Sequence, residues 1–147
     1  MREDNYGAIP TIYKNVQFRS RLEARTAAFL DILGLTWDFE PIDLQNTIPD
    51  FVVDLPAGPT IIECKPAILA AEFRAPCRRL TRSGWLGPAI VLGCRLSNDP
   101  VDNHSDLTMY GSTHTELGRW ARVGRNRWPA AWGEYPFGDQ VWTNWNT

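Results

Sequence analysis

Asp50 and Glu63 stand 13 positions apart, and Lys65 follows two residues after the second carboxylate. Glu63 sits among Ile61, Ile62 and Cys64. An ionised side chain in such an apolar run is costly unless it meets a metal or another cation. Strand side chains alternate, so Glu63 and Lys65 share one face while Ile62 and Cys64 take the other. A hairpin that folds Asp50 back toward Glu63 and Lys65 brings two carboxylates and an amine to one point. That is a donor set for a hard divalent cation and an attacking water. Each residue also has a plainer reading. Asp50 after Pro49 suits a turn, and Lys65 can pair with Glu63 or reach solvent from the strand end.

The elements that must position these groups are well marked. Phe51 to Leu55 is mostly apolar, Pro56-Ala57-Gly58-Pro59 has turn chemistry, and Thr60 to Lys65 opens a second apolar run, so a hairpin is predicted over about 48 to 65. Ser20 as N-cap, Glu23 three residues on and Gly34 as a stop predict a helix over about 20 to 33. Its apolar stripe is Leu22, Phe29, Leu30 and Leu33, with Ala27 at the edge. Glu23 completes a capping box there, and it also borders the stripe closely enough to face a sheet. Trp37 to Pro41 reads as a strand. Ala67 to Thr81 has helical spacing, with a kink or late start expected at Pro76. Pro88 to Cys94 reads as a buried central strand. The strand, helix, strand unit from 60 to 95 predicts a right-handed crossover between parallel neighbours. The fold class is therefore α/β, a mixed central sheet flanked by helices.

Helix with Glu23, strand, strand with Asp50, strand with Glu63-x-Lys65 resembles the PD-(D/E)XK nuclease superfamily, whose motif is spelled here by Pro49, Asp50, Glu63 and Lys65. The likeness covers roughly residues 18 to 96 and is nearest to small phage and mobile-element endonucleases and to transposon-end nuclease subunits; the motif is short and degenerate. It implies a restriction-endonuclease-like core and a metal-dependent DNA endonuclease. Asp50, Glu63 and the backbone carbonyl of Cys64 would hold Mg²⁺ or Mn²⁺, with Lys65 positioning or activating the water. Glu23 would take a direct or water-mediated part at the metal. Products carrying a 5′ phosphate are part of the same implication.

Composition sets the limits. A chain of 147 residues with 44% hydrophobic content forms one compact domain. We divide it into an N-terminal extension (1–17) of little periodicity, the core (18–96), and a C-terminal extension (97–147) that starts polar and turn-rich and ends rich in Trp and Arg. The net charge of −2 argues against coating nucleic acid by charge alone. Residues 1–65 hold ten acids and six bases, whereas residues 66–147 hold seven acids and nine bases, all arginines. Arg19, Arg21, Arg25, Arg78, Arg79, Arg119 and Arg122 are the candidate DNA contacts. Lys14 and Lys65 are the only lysines, and a lysine kept at the motif position mildly favours a chemical role. Cys64, Cys77 and Cys94 lack zinc-ribbon spacing and read as reduced, half-buried thiols. His104 and His114 read as surface residues. No apolar run approaches a membrane span and the N-terminus has no signal-peptide stretch, which predicts a cytoplasmic protein. The tail tryptophans, Trp120, Trp128, Trp132, Trp142 and Trp145, suit either stacking on unpaired bases or burial against the sheet or a second subunit, a homodimer or a partner protein. A catalytically inactive DNA-binding or assembly subunit with the same fold is the alternative to an enzyme.

Overall fold

A computed structural model of the chain describes residues 9–66, 69–99, 104–112, 119–124 and 127–136, with backbone alone for 94–99 and 104–108. His114, Arg125, Trp142 and Trp145 lie outside these residues, as do the side chains of Cys94 and His104. The element order is β1 (Thr11–Tyr13), β2 (Val16–Phe18), α1 (Arg21–Ile32), β3 (Trp37–Phe39), β4 (Phe51–Leu55), β5 (Gly58–Cys64), a 3₁₀ turn (Ala70–Phe73) leading into α2 (Arg74–Thr81), β6 (Ala89–Asp99), β7 (His104–Ser112) and β8 (Ala121–Arg122), followed by a 3₁₀ turn (Ala130–Trp132).

The centre is a six-stranded mixed sheet in the order β3-β4-β5-β6-β7-β8. Its β5 and β6 run parallel, with Glu63 opposite Val91, and every other pairing is antiparallel. The chain makes that parallel step through α2, as the strand, helix, strand pattern requires. Alternation splits the central strands between two apolar cores. Phe51, Val53, Ile62, Cys64, Ile90 and Leu92 join Phe29 and Leu30 of α1 on one side. Ile61, Ala89 and Val91 join Phe73, Cys77 and Leu80 of α2 on the other. Glu63, between Ile62 and Cys64, belongs to the α2 side.

The local signals act as chemistry demands. Ser20 Oγ accepts the Glu23 N–H at 3.2 Å and caps α1. Pro76 falls in the first turn of α2, where its missing N–H costs nothing, so the regular helix starts late, at Arg74.

Two segments depart from the sequence reading. Part of the N-terminal extension is a β-hairpin, β1–β2. Its turn places Lys14 and Asn15 at φ 50° and 64°, the left-handed pair that a tight hairpin uses, without the glycine that would announce it. The hairpin is fixed to α1 through Asp31, which accepts the Tyr13 hydroxyl and the Trp37 indole N–H and pairs with Lys14 Nζ at 2.9 Å. Beyond Leu96 the sheet also continues where a polar loop was expected: β6 runs to Asp99 and β7 returns over 104–112.

The C-terminal segment completes the first core. Trp132 is 1% exposed and meets Trp128 edge to face at 4.8 Å. A side chain on Gly111 of β7 would come within 3.0 Å of this indole, which explains the glycine. Among the described residues no helix is long and apolar enough to cross a membrane.

Candidate active site

Asp50 enters β4 and Glu63 nearly ends β5, so the hairpin register brings them side by side. The Asp50 N–H donates to Glu63 Oε1 at 3.0 Å, and the Cys64 N–H donates to Asp50 Oδ2 at 2.8 Å. Both carboxylates are 4% exposed. Lys65 is half-buried just past the strand end, its N–H bonded to the Leu92 carbonyl. Its side chain lines the same cleft as Asp50 and Glu63, an opening of about 1030 Å³ between the sheet end, α2 and the loop over 43–48.

The electrostatics are those of crowded acids. Burial pushes the Asp50 carboxyl well above the usual carboxylate range, and the charges of Glu63 and then Glu23 push it further. The Cys64 N–H works the other way, and a hydrogen bond to Glu63 again favours the protonated form. In the absence of a cation, a proton relieves the repulsion.

Glu23 is buried on α1. Its Oε1 accepts the Arg19 N–H at 2.8 Å, so the return half of the capping box comes from the residue before Ser20. Its charge still reaches Asp50. Glu23 thus serves the start of the helix and lies within electrostatic reach of Asp50. Cys64 is buried, and its thiol donates weakly to Thr26 Oγ1 at 3.3 Å. Burial, followed by the Asp50 charge, drives its pKa well upward, the reverse of what a nucleophilic thiol needs.

The arginines divide. Arg79 points into the cleft with Nη2 3.9 Å from Glu63 Oε2. Arg19 is at the rim, its Nη1 2.9 Å from Glu40 Oε2 without the alignment of a hydrogen bond. Arg21 and Arg25 are exposed on α1 away from the cleft lining, Arg78 faces the opposite flank of α2, Arg119 is exposed and Arg122 is half-buried on β8.

Several neighbours carried no sequence signal as site residues. Glu40 has φ 50°, a conformation that costs a residue with a Cβ. Its N–H is spent on the Asp50 carbonyl at 2.8 Å, so the strained residue buttresses the strand that presents the carboxylate. Asp43, Asn46 and Thr47 line the opposite rim. A Leu44–Thr47 bridge with Asn46 at φ 61° shapes them. The sequence reading assigned no element to this stretch.

Among the described residues no three His, Cys, Asp or Glu side chains group as a ready-made metal cage. The donor set nonetheless suits Mg²⁺, which is usually held by one or two carboxylates and completes its shell with waters and substrate phosphate. Two buried carboxylates side by side, where desolvation and then the neighbouring charge favour protonation of Asp50, are a fit for such an ion. Comparison with protein-family models, characterised proteins and solved structures finds no match to the chain.

Proposed function

We propose that the protein is a metal-dependent endonuclease hydrolysing DNA phosphodiesters, with a core of the PD-(D/E)XK kind. The observation that carries this reading is the meeting of Asp50 and Glu63 in a cleft that Lys65 also lines. Asp50, Glu63 and the Cys64 carbonyl would hold Mg²⁺ or Mn²⁺, which when bound supplies Lewis-acid polarisation of the phosphate. The chain's own residues do the rest. The Asp50–Glu63 and Cys64–Asp50 hydrogen bonds fix both carboxylates on rigid strands. Lys65 orients the attacking water and offers positive charge to the phosphorane-like transition state. Arg79, 3.9 Å from Glu63, adds a second cation to the phosphate-facing wall, and Arg19 extends it at the rim. Glu23 acts behind Asp50 as a buried charge that strengthens the pull on a cation.

A second reading rests on the same hydrogen bonds. Each of the two carboxylates already satisfies a backbone N–H, so the set could serve as structure in a non-catalytic DNA-binding or assembly subunit. Cleavage separates the two. A panel of single-stranded, duplex, flapped and four-way-junction DNA is incubated with Mg²⁺, Mn²⁺ or EDTA. Metal-dependent cutting that is lost in Asp50→Ala, Glu63→Ala and Lys65→Ala, each with an unchanged circular dichroism spectrum, is the expected result. Full activity in all three variants would overturn the assignment.

A further inference from the structure

Helix α2 is a wall between two clefts. One flank carries Arg79 toward Asp50 and Glu63; the other faces a separate groove of about 430 Å³ between α2, β7 and the approach to β8. Arg74, Arg78 and Arg82 line this second groove at successive i, i+4 positions and all three are exposed. They rise about 6 Å apart along the helix axis, a step that one nucleotide unit of an extended strand can span. No carboxylate lies among the groove's lining residues. The opposite side is aromatic. Tyr110 is half-buried against Phe73 with ring centroids 4.9 Å apart. Trp120 is half-buried, its indole N–H donated to Thr81 Oγ1 at 2.8 Å, which pins the ring at the groove edge.

A row of guanidinium groups facing two held aromatic rings is suited to phosphates on one side and unpaired bases on the other. A duplex keeps its base faces stacked inside and could use only the arginines. We propose that this groove binds a single-stranded nucleic acid segment, and that α2 thereby holds the unpaired strand leading away from the phosphate in the neighbouring cleft. The second half of the proposal rests on the nuclease reading; the first does not. The two openings approach each other at the N-terminal end of α2, where Ala70 lines one and Glu72 and Ala75 line the other.

The test is fluorescence anisotropy of labelled oligodeoxythymidylate with the full chain in EDTA, repeated across a salt series, with oligouridylate and a mixed-sequence duplex as parallel arms. The combined variant Arg74→Gln/Arg78→Gln/Arg82→Gln is expected to weaken binding at least tenfold and to flatten the log–log salt slope by about 2, the share of three phosphate contacts on a single strand. Trp120→Ala is expected to cost about tenfold with the slope unchanged, while Trp120→Phe, which keeps a ring, retains most of the affinity. Equal weakening for oligouridylate would assign the site to single strands of either sugar. Unchanged affinity in the triple variant, or a duplex bound as tightly as the single strand with the same dependence on Trp120, would overturn the groove. Hydrolysis of bis-p-nitrophenyl phosphate with Mn²⁺, a substrate too small to reach the groove, reads the catalytic cleft separately. Its survival in the triple variant beside lost oligonucleotide binding supports both readings. Its absence from the wild-type protein beside intact groove-dependent binding removes the enzyme and leaves the groove.

Discussion

In EDTA, Asp50→Asn should make the protein more stable at neutral pH and should remove a pH dependence that the wild type shows. Burial and the charges of Glu63 and Glu23 raise the Asp50 carboxyl above its ordinary value of 3.8. Folded chains therefore keep a proton that unfolded chains release, and stability falls as pH rises from about 4 up to the folded value, then levels off. Within that window the loss is about 1.4 kcal/mol per pH unit for one proton. For a chain of this length this corresponds to about 4 °C in Tm per pH unit. Asparagine keeps an oxygen for the Cys64 N–H and has no proton to lose. Scanning calorimetry from acid to neutral pH should show the wild type sloping downward across this window and the variant flat. On the proposed function, Mg²⁺ would replace the proton with a better partner. At about 100 times its Kd it should add about 2.7 kcal/mol to the wild type, about 8 °C, and much less to the variant. A variant that slopes as steeply as the wild type, or gains as much from Mg²⁺, would refute both the crowding of Asp50 and its part in holding a cation.

Three further outcomes are expected. Arg79→Gln removes a charge 3.9 Å from Glu63 that is 40% exposed on the side chain, so the interaction lies nearer the ~1 kcal/mol of water than the ~4 kcal/mol of a partly shielded site. Cleavage assays should show about a fivefold loss, and titration calorimetry tighter Mg²⁺ binding because a competing cation is gone. Asp31 behaves oppositely to Asp50. Burial pushes its carboxyl up, but hydrogen bonds from Tyr13, Lys14 and Trp37 outweigh this and hold it below 3.8, so its contribution is lost as pH falls below about 4. Urea unfolding of Asp31→Asn should show a loss of about 1–2 kcal/mol at neutral pH that shrinks in acid. Trp132→Ala should cost about 3–5 kcal/mol in the same assay. Trp132→Phe should cost much less, because the indole Nε1 is buried with no hydrogen-bond partner among the described residues.

What the sequence disclosed was whatever rested on local chemistry. The Ser20 cap, the turn after Leu55 and the alternation through Ile61-Ile62-Glu63-Cys64 each specify their own geometry. The meeting of Asp50 with Glu63 followed from hairpin register. The rest depended on contacts between distant segments. Lys14-Asn15 forms a hairpin turn with no glycine, because packing of β1–β2 on α1 sustains it. Strand β7 opens on the polar run His104-Ser105-Asp106, which carries no strand signal, and takes its place by pairing with β6. Arg79 and Arg78 are adjacent in sequence and line different clefts, a division set by the rotation of α2 on the sheet. The strained backbone at Glu40 was not read from the sequence, and its N–H meets the Asp50 carbonyl, ten residues further along the chain.

The burial of Trp132 has a consequence for how the protein is made. The first core spans Phe18 to Trp132, and Gly133 lies so close to Pro56 that a side chain there would meet the ring at 2.6 Å. The hairpin that carries both carboxylates is thus packed by one of the last parts of the described chain to leave the ribosome. A chain stalled or truncated before residue 132 retains Asp50, Glu63 and Lys65 but lacks the wedge that seats their hairpin. The seat of the two carboxylates is therefore finished by residues far downstream of them, and the first core closes only once Trp132 has been made.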